Sequence, residues 1–306
     1  MATASVTTGI KLVLRNNERV VVMRMKNKIK KRLVKINGFL KSKKKPGLTV
    51  IHMLRLEIKH LEAFLELMSF QKNFGASSEI PDRLSTLFDE AGKLRELGLE
   101  MKAIDLVTHK NGFSKPKLFL KQLNLSKRKS CRKLIRKRRV SAALKLREFS
   151  THPDTKLSPH TCKQFLFNKT SYMLDLLSGD ILSDIKSLHQ FRKLLKSILF
   201  VLPFCKNLVE PNVAFLKTNK KLIKSVESEI GSLHDTDSFV ARLGKKNRRI
   251  HVSEETALRK IKREWQNDMK RMEKDLQTIL PAIRQFAVDL KDQSSDNLNN
   301  VRQLFN

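Results

Sequence analysis

Two stretches of the sequence carry the same three side chains at the same spacing. Both read His-x-x-Arg-x-x-x-Lys, and the copies are His52/Arg55/Lys59 and His189/Arg192/Lys196. On a helix these positions fall within an arc of about 60°, so each copy would form one narrow column. Arg offers a planar fork to two anion oxygens, Lys a compact charge, and His a hydrogen bond or a further charge. The chemistry that these columns offer is the binding of an anion.

A second, weaker repeat follows each column. Gly92 is followed by Arg95, and Gly231 is followed by His234 and Asp235, at nearly the same distance from the preceding column in both halves. A glycine inside a helix costs roughly 1 kcal/mol relative to Ala, so it usually marks close helix packing. A single His beside an apolar stripe is more often structural. The repetition of the column and of its following element favours a duplicated site.

The charge of the chain is concentrated in two windows. The sequence has 306 residues, with 63 Lys and Arg against 30 Asp and Glu, a formal charge of +33. Residues 19–56 contain 13 basic residues and no acid, and residues 106–147 contain 15 and no acid. Such windows are often solvated faces, but here they lie inside periodic helices, and their self-repulsion opposes folding. We therefore expect a polyanionic partner.

Apolar periodicity predicts eight helices, with prolines between most of them. They cover about 16–41, 49–70, 82–110, 116–149, 160–178, 181–206, 211–243 and 253–289. The Pro-containing break near 150–160 lies at the chain midpoint. The sequence thus predicts an all-α protein of two four-helix bundles related by internal duplication. The predicted divisions are an N-terminal extension (1–15), a first bundle (16–150), a linker (151–159), a second bundle (160–289) and a polar tail (290–306), which we expect to fray.

These columns and glycine elements resemble those of the CHAD family (conserved histidine α-helical domain). The resemblance covers about 16–289 and is fuller in the second half, because the first half lacks the acidic pair after its glycine. It implies two bundles related by a pseudo-twofold axis, with basic residues lining a central groove. It also implies binding of inorganic polyphosphate without catalysis. Location in the cytoplasm, in association with polyphosphate granules, is implied by the resemblance alone.

Inorganic polyphosphate carries about one charge per phosphate unit and no bases, so it needs many cations and no stacking platform. Columns of basic residues on facing helices would form such a groove, and binding should weaken steeply with salt. The residues predicted to bind polyphosphate are His52, Arg55, Lys59, His189, Arg192, Lys193, Lys196, Lys28, Lys31, Lys35, Lys129, Arg132, Lys133, Arg136, Arg259 and Arg263. Arg259 and Arg263 are equally suited to surface ion pairs.

Other functions remain open from the sequence alone. A general polyanion-binding or RNA/DNA-binding protein fits the charge, and nonspecific nucleic-acid association is expected. One Tyr and one Trp are few for the stacking platforms of single-strand binders. A phosphotransferase would need carboxylates for metal, and Asp235 and Asp237 are the one close acidic pair near a motif. Glu57-x-x-His60 has di-iron spacing but no second copy. The basic, amphipathic first segment also suits an anionic membrane surface.

Several features are not indicated by the sequence. No apolar run approaches the ~20 residues of a membrane span, and the first residues do not read as a signal peptide. Three cysteines, Cys131, Cys162 and Cys205, have no paired spacing and read as small core or surface residues. We expect no catalytic residue, metal site or cofactor. The sequence does not indicate an oligomeric state.

Overall fold

The computed structural model describes residues 27, 29–71, 80–140, 144, 157–205, 213–244 and 252–303. Every regular element in these ranges is a helix, which confirms the all-α prediction. The α-helices are α1 (29–41), α2 (Leu48–Ser69), α3 (Asp82–Lys110), α4 (Lys117–Val140), α5 (Pro159–Ser178), α6 (Ile185–Cys205), α7 (Val213–Gly244) and α8 (Glu255–Gln303). A short 3-10 helix, Val252–Glu254, precedes α8.

The sixth helix begins one turn later than the sequence predicted. Residues 181–183 form a turn, and α6 starts at Ile185. The carboxylate of Asp184 accepts hydrogen bonds from the backbone N–H groups of Lys186 (3.0 Å) and Ser187 (3.1 Å). It therefore caps the first turn. The hydrogen bonds from Ser187 and Lys186 lower the pKa of Asp184. The cap, rather than the first apolar residue of the segment, determines where the helix starts.

The last helix extends beyond its predicted end at residue 289. It continues to Gln303, so residues 290–303 are helical where a polar tail was expected. Leu290 is buried against the core, and the buried hydroxyl of Ser294 donates to the Leu290 carbonyl at 2.7 Å. One apolar contact therefore anchors a polar stretch. The predicted N-terminal extension (1–15) lies outside the described residues, as do the predicted helical positions 16–26 and 145–149.

One hydrophobic core draws residues from both halves of the chain. It includes Ile58 and Leu61 of α2, Phe165 of α5, Leu195 of α6 and Phe286 of α8, all at most 2% exposed. The three cysteines also lie in it, and burial together with the neighbouring Cys162 thiol raises the pKa of Cys205. Residues from both halves of the chain thus pack together in this core.

A second core joins the far ends of four helices. Ile104 of α3 and Phe119 of α4 pack in one cluster with Phe239 of α7 and Trp265 of α8. Nearby, the carboxylate of Glu254 accepts the backbone N–H groups of Leu118 (2.7 Å) and Phe119 (2.9 Å). Because these donors belong to the first turn of α4, a residue of the second half caps a helix of the first.

The two motif-bearing helices, α2 and α6, pack directly against each other. The ring centres of His60 and Phe200 lie 4.0 Å apart. Ser197 donates to the Glu66 carboxylate at 2.7 Å. Helix α3 packs on α2, and α7 packs on α6. This arrangement brings both histidine columns and both glycine elements to one junction.

Candidate anion-binding site

Basic and imidazole side chains from four helices meet at this junction. We call them the central cluster: His52 and Arg55 of α2, Arg95 of α3, His189, Arg192, Lys193 and Lys196 of α6, and His234 of α7. Partial burial and the charges of Arg95, Lys196 and Arg55 lower the pKa of His52. Likewise, burial and the charges of Arg192 and Arg95 lower the pKa of Lys196. Cations from both halves are thus close enough to repel one another.

Each motif arginine fills the space above a helical glycine. An added Cβ at Gly92 would lie 2.4 Å from Nη1 of Arg55. An added Cβ at Gly231 would lie 2.4 Å from Nη2 of Arg192. The glycines therefore allow α3 and α7 to approach the arginines closely. This packing offsets the low helix propensity of glycine. The two halves repeat this contact in detail.

These contacts hold the arginines rather than leaving them free. Arg55 donates to the Phe88 carbonyl at 2.7 Å, and its guanidinium lies 3.8 Å from the centre of the Phe88 ring. Arg192 pairs with Glu227 at 2.9 Å, and Lys196 reaches the same carboxylate oxygen at 2.9 Å. Arg55 and Arg192 are therefore packing residues that also carry charge. Arg95 and Lys193 form no ion pair with another described residue.

Two histidines of the cluster are stacked. The rings of His189 and His234 lie 4.7 Å apart at an interplanar angle of 27°, and each Nδ1 is buried without a hydrogen-bond partner among the described residues. Burial and the charges of His234, Lys193, Arg192 and Lys196 lower the pKa of His189 to about 4. Burial raises the pKa of Asp235, but His234 and the charges of Arg95 and Arg192 lower it overall. His189 is thus neutral at neutral pH.

We expect the free protein to lose stability as pH falls from about 6.5 toward 4. The unfolded chain protonates His189 near its ordinary pKa of 6.5, whereas the folded chain does so only near 4. The unfolded state therefore binds more protons in that window. Thermal unfolding from pH 7 to 4.5 should show a smaller decrease in Tm for His189→Gln than for the wild type. Equal decreases would mean that the imidazole is not held neutral by the cluster.

The arginine–glycine contact predicts a change of sign in a double-mutant cycle. Gly231→Ala should destabilise the protein by about 1 kcal/mol, because displacing Arg192 from Glu227 costs more than the gain of about 1 kcal/mol in helix propensity. In an Arg192→Ala background, the same change should stabilise by about 1 kcal/mol. Gly38→Ala on α1, where an added Cβ meets nothing within 4 Å, is the matched control and should stabilise. Urea unfolding measures the free energy of unfolding of each variant. If Gly231→Ala stabilises the protein as Gly38→Ala should, the contact with Arg192 is contradicted.

Several predicted residues lie outside the cluster. Lys35 pairs with the buried Glu57 at 2.7 Å, beside Arg32. Lys59 pairs with Glu62 at 2.5 Å. Arg259 pairs with Glu255 on its own helix, at 2.6 Å. This is the surface ion pair that the sequence offered as its other role. Lys31 and Arg263 are exposed on α1 and α8, and the α4 residues Lys129, Arg132, Lys133 and Arg136 point outward. Lys28 lies outside the described residues.

Arg95 belongs to the central cluster, although the sequence analysis named it only within the weaker glycine element and not among the predicted binding residues. It stands three positions after Gly92, as His234 stands three after Gly231, and its charge acts on His52 and Asp235. The equal spacing was the available signal. This signal was weak for two reasons. The two halves have different residues, Arg and His, at the position, and the first half lacks the acidic pair by which the glycine element is recognised.

An open groove of about 760 Å³ lies beside the cluster. Its charged lining includes Lys59, Lys169, Lys193, Lys196, Glu62, Glu66 and Asp82. Glu62 pairs with Lys59, and Glu66 pairs with Lys169. Lys193 forms no ion pair with a described residue, whereas Lys196 is paired with Glu227. No group of three or more His, Cys, Asp or Glu residues in the described part of the chain is arranged to hold a metal ion.

Comparison with known proteins identifies the fold. The chain is similar to the crystal structure of the CHAD domain from the plant Ricinus communis, with a TM-score of 0.57 and 15% identity over 87% of this chain and 91% of that chain. The chain therefore has a CHAD-like fold, as its histidine columns predicted. No protein-family model matches the sequence. No curated protein matches it either. Among the described residues, no helix is long and apolar enough to cross a membrane.

Proposed function

We propose that this protein binds inorganic polyphosphate at the central cluster and catalyses no reaction. The observation that carries the proposal is the convergence of cations from α2, α3 and α6 on one junction, where they lower the pKa of His52 and Lys196. A bound chain of phosphates would relieve this repulsion, so binding and folding would stabilise each other. The CHAD-like fold supports the proposal, because the family resemblance implies this ligand.

The proposal includes a pseudo-twofold relation between the halves. The Arg55–Gly92 and Arg192–Gly231 contacts support it, because each joins the second helix of a half to the third. The pairs His52/Arg95 and His189/His234 stand at matching positions. A linear, repeating anion suits such a site, because both halves would offer it similar groups. In this proposal, the polyphosphate would run along the groove past Lys193 and Lys196 toward Arg95 and His52.

The surroundings of the cluster favour polyphosphate over single-stranded nucleic acid. Single-strand binders stack bases on exposed aromatic rings. Here the Phe88 ring is covered by Arg55 and Lys59, and Trp265 is buried in the second core. Among the described aromatic residues that line the groove, Tyr172 is the exposed one, and its hydroxyl donates to Gln190. One ring gives little base recognition. Association with polyphosphate granules in the cytoplasm would follow from the same activity.

A competition titration tests this proposal. Fluorescent long-chain polyphosphate would be bound to the protein at two salt concentrations and displaced by unlabelled polyphosphate, single-stranded RNA, duplex DNA or heparin. We expect polyphosphate to be the best competitor at equal anionic charge, and affinity to fall steeply at the higher salt. RNA or heparin competing equally well would contradict a polyphosphate-specific site. Continued phosphate release during incubation would contradict the absence of catalysis.

A further inference from the structure

Helix α4 presents a cationic ridge on the outside of the molecule. Over its 24 residues it contains no acid. Five of its exposed basic residues lie along one side: Lys121, then Arg128 two turns later, and Arg132, Arg136 and Arg139 at the following turns. At 100° per residue these five lie within an arc of about 80°, and they extend about 27 Å along the helix. We call this line of residues the α4 ridge.

The opposite face of α4 explains why the ridge is fixed in place. Phe119 and Leu123 pack in the second core, and Cys131 and Leu134 pack in the first. Glu254 caps the beginning of the helix. A helix secured along both cores presents its outer side chains on a rigid support. The cations are therefore held in a fixed line.

The ridge cations carry no compensating charge within the described part of the chain. None of the five forms an ion pair with another described residue, although exposed Arg residues elsewhere, such as Arg259 and Arg271, pair with acids one turn away. No residue of α4 contributes to the pKa shifts of the central cluster. The ridge and the cluster are thus two separate concentrations of positive charge.

We propose that the α4 ridge is a second binding site, whose ligand is the phosphate backbone of duplex DNA. The site is convex and consists of one helix, whereas the central cluster is formed by four. A convex α-helix fits the major groove of B-form DNA, which is about 12 Å wide, and cations across an arc of about 80° reach phosphates on both of its walls. The major groove of A-form RNA is too deep and narrow for such a helix. This proposal is independent of polyphosphate binding.

The composition of the ridge indicates contacts to phosphates rather than to bases. Four of the five residues are Arg, which binds phosphate through two parallel hydrogen bonds. An anionic membrane would need a continuous apolar face beside the charges. Here the exposed large apolar residues of the described helix are Leu118 and Leu125, both in its first half. The binding is therefore electrostatic, indifferent to sequence, and strongly dependent on salt.

The test is a set of variants measured on two ligands. The ridge variant is Arg128→Gln/Arg132→Gln/Arg136→Gln/Arg139→Gln. A charge-matched control, Lys221→Gln/Lys224→Gln/Lys270→Gln/Lys274→Gln, changes exposed lysines of α7 and α8. Each protein is titrated with a short DNA duplex and with short-chain polyphosphate at several salt concentrations. Circular dichroism and Tm confirm that each variant is folded.

We expect the ridge variant to lose duplex affinity about tenfold or more, with its log K against log [salt] slope reduced by about 3 to 4. Its affinity for short polyphosphate should change less than about threefold, and the control should retain most of its duplex affinity. Equal losses in the ridge variant and the control would overturn the proposal, because net charge alone would then explain binding. An RNA duplex of equal length and anionic vesicles are titrated in parallel with the wild type, and preference for either over DNA would overturn the choice of ligand. Loss of polyphosphate binding alone would overturn the proposal by placing the ridge in the polyphosphate site.

Discussion

Replacing Arg95, Lys193 and Lys196 with glutamine should lower polyphosphate affinity by about 100-fold. Each is a cation of the central cluster, and solvent screening reduces the contribution of a partly exposed ionic contact to about 1 kcal/mol or less. Three such losses of about 1 kcal/mol each multiply to about 100-fold. Arg95 and Lys193 form no ion pair with described residues, and replacing Lys196 leaves Glu227 paired with Arg192. The fold should therefore be retained.

The same variant separates the cluster from general charge. Its control is Lys221→Gln/Lys270→Gln/Lys274→Gln, which removes the same number of charges from exposed positions on other surfaces. Isothermal titration with short polyphosphate should give a loss of less than about threefold for this control. Arg55 and Arg192 are poor choices for the experiment, because their replacement removes packing on Gly92 and Gly231 as well as charge. Equal affinities of the cluster variant and the control would contradict the proposed site.

Phe191→Ala should destabilise the whole protein by about 3–5 kcal/mol, in one unfolding transition. The Phe191 side chain is completely buried in the core that both halves share, and truncating it leaves a large cavity. Because residues of α2, α5, α6 and α8 line that core, a defect in the second half should also weaken the first. Denaturant unfolding followed by circular dichroism measures the loss. Trp265 fluorescence reports the same transition from the second core.

The control for this change is Leu106→Ala on α3. The Leu106 side chain is exposed to solvent. Its truncation should therefore change the free energy of unfolding by only about 0.5 kcal/mol or less. Two resolved transitions in Phe191→Ala, one of them at the wild-type midpoint, would show that the halves fold independently. The continuous core would then be a contact between two separate folding units.

The sequence predicted most helices because their apolar positions repeat with a helical period over several turns. The predicted segment 82–110 matches α3 from end to end. The errors lie where a single contact decides the outcome. Asp184 delays the start of α6 by capping it, and Leu290 extends α8 through polar residues. The cap has no periodic signature, and Leu290, which continues the period of Ile283 and Phe286, is followed by polar residues that conceal the continuation.

The candidate site was predictable where both halves repeat the same residues. His52 and His189 were found through the shared column, and the structure brings both columns to the α2–α6 junction. Basic columns that occur in only one helix, without a copy in the other half, predicted the site less well. Lys35 pairs with Glu57 and Arg259 pairs with Glu255, and neither belongs to the cluster at the α2–α6 junction. The role of the two motif arginines depends on glycines in the following helix, which became clear only from the contact itself.

A polyphosphate chain bound at the central cluster should shield the lysines there from acetylation, and lysine footprinting measures this shielding. The protein is acetylated briefly with and without saturating short polyphosphate, and each lysine is quantified by mass spectrometry. We predict strong protection of Lys193 and Lys196, with the exposed Lys270 and Lys274 of α8 unchanged. Equal protection of all exposed lysines, or unchanged reactivity at Lys193 and Lys196, would show that polyphosphate does not bind at the central cluster.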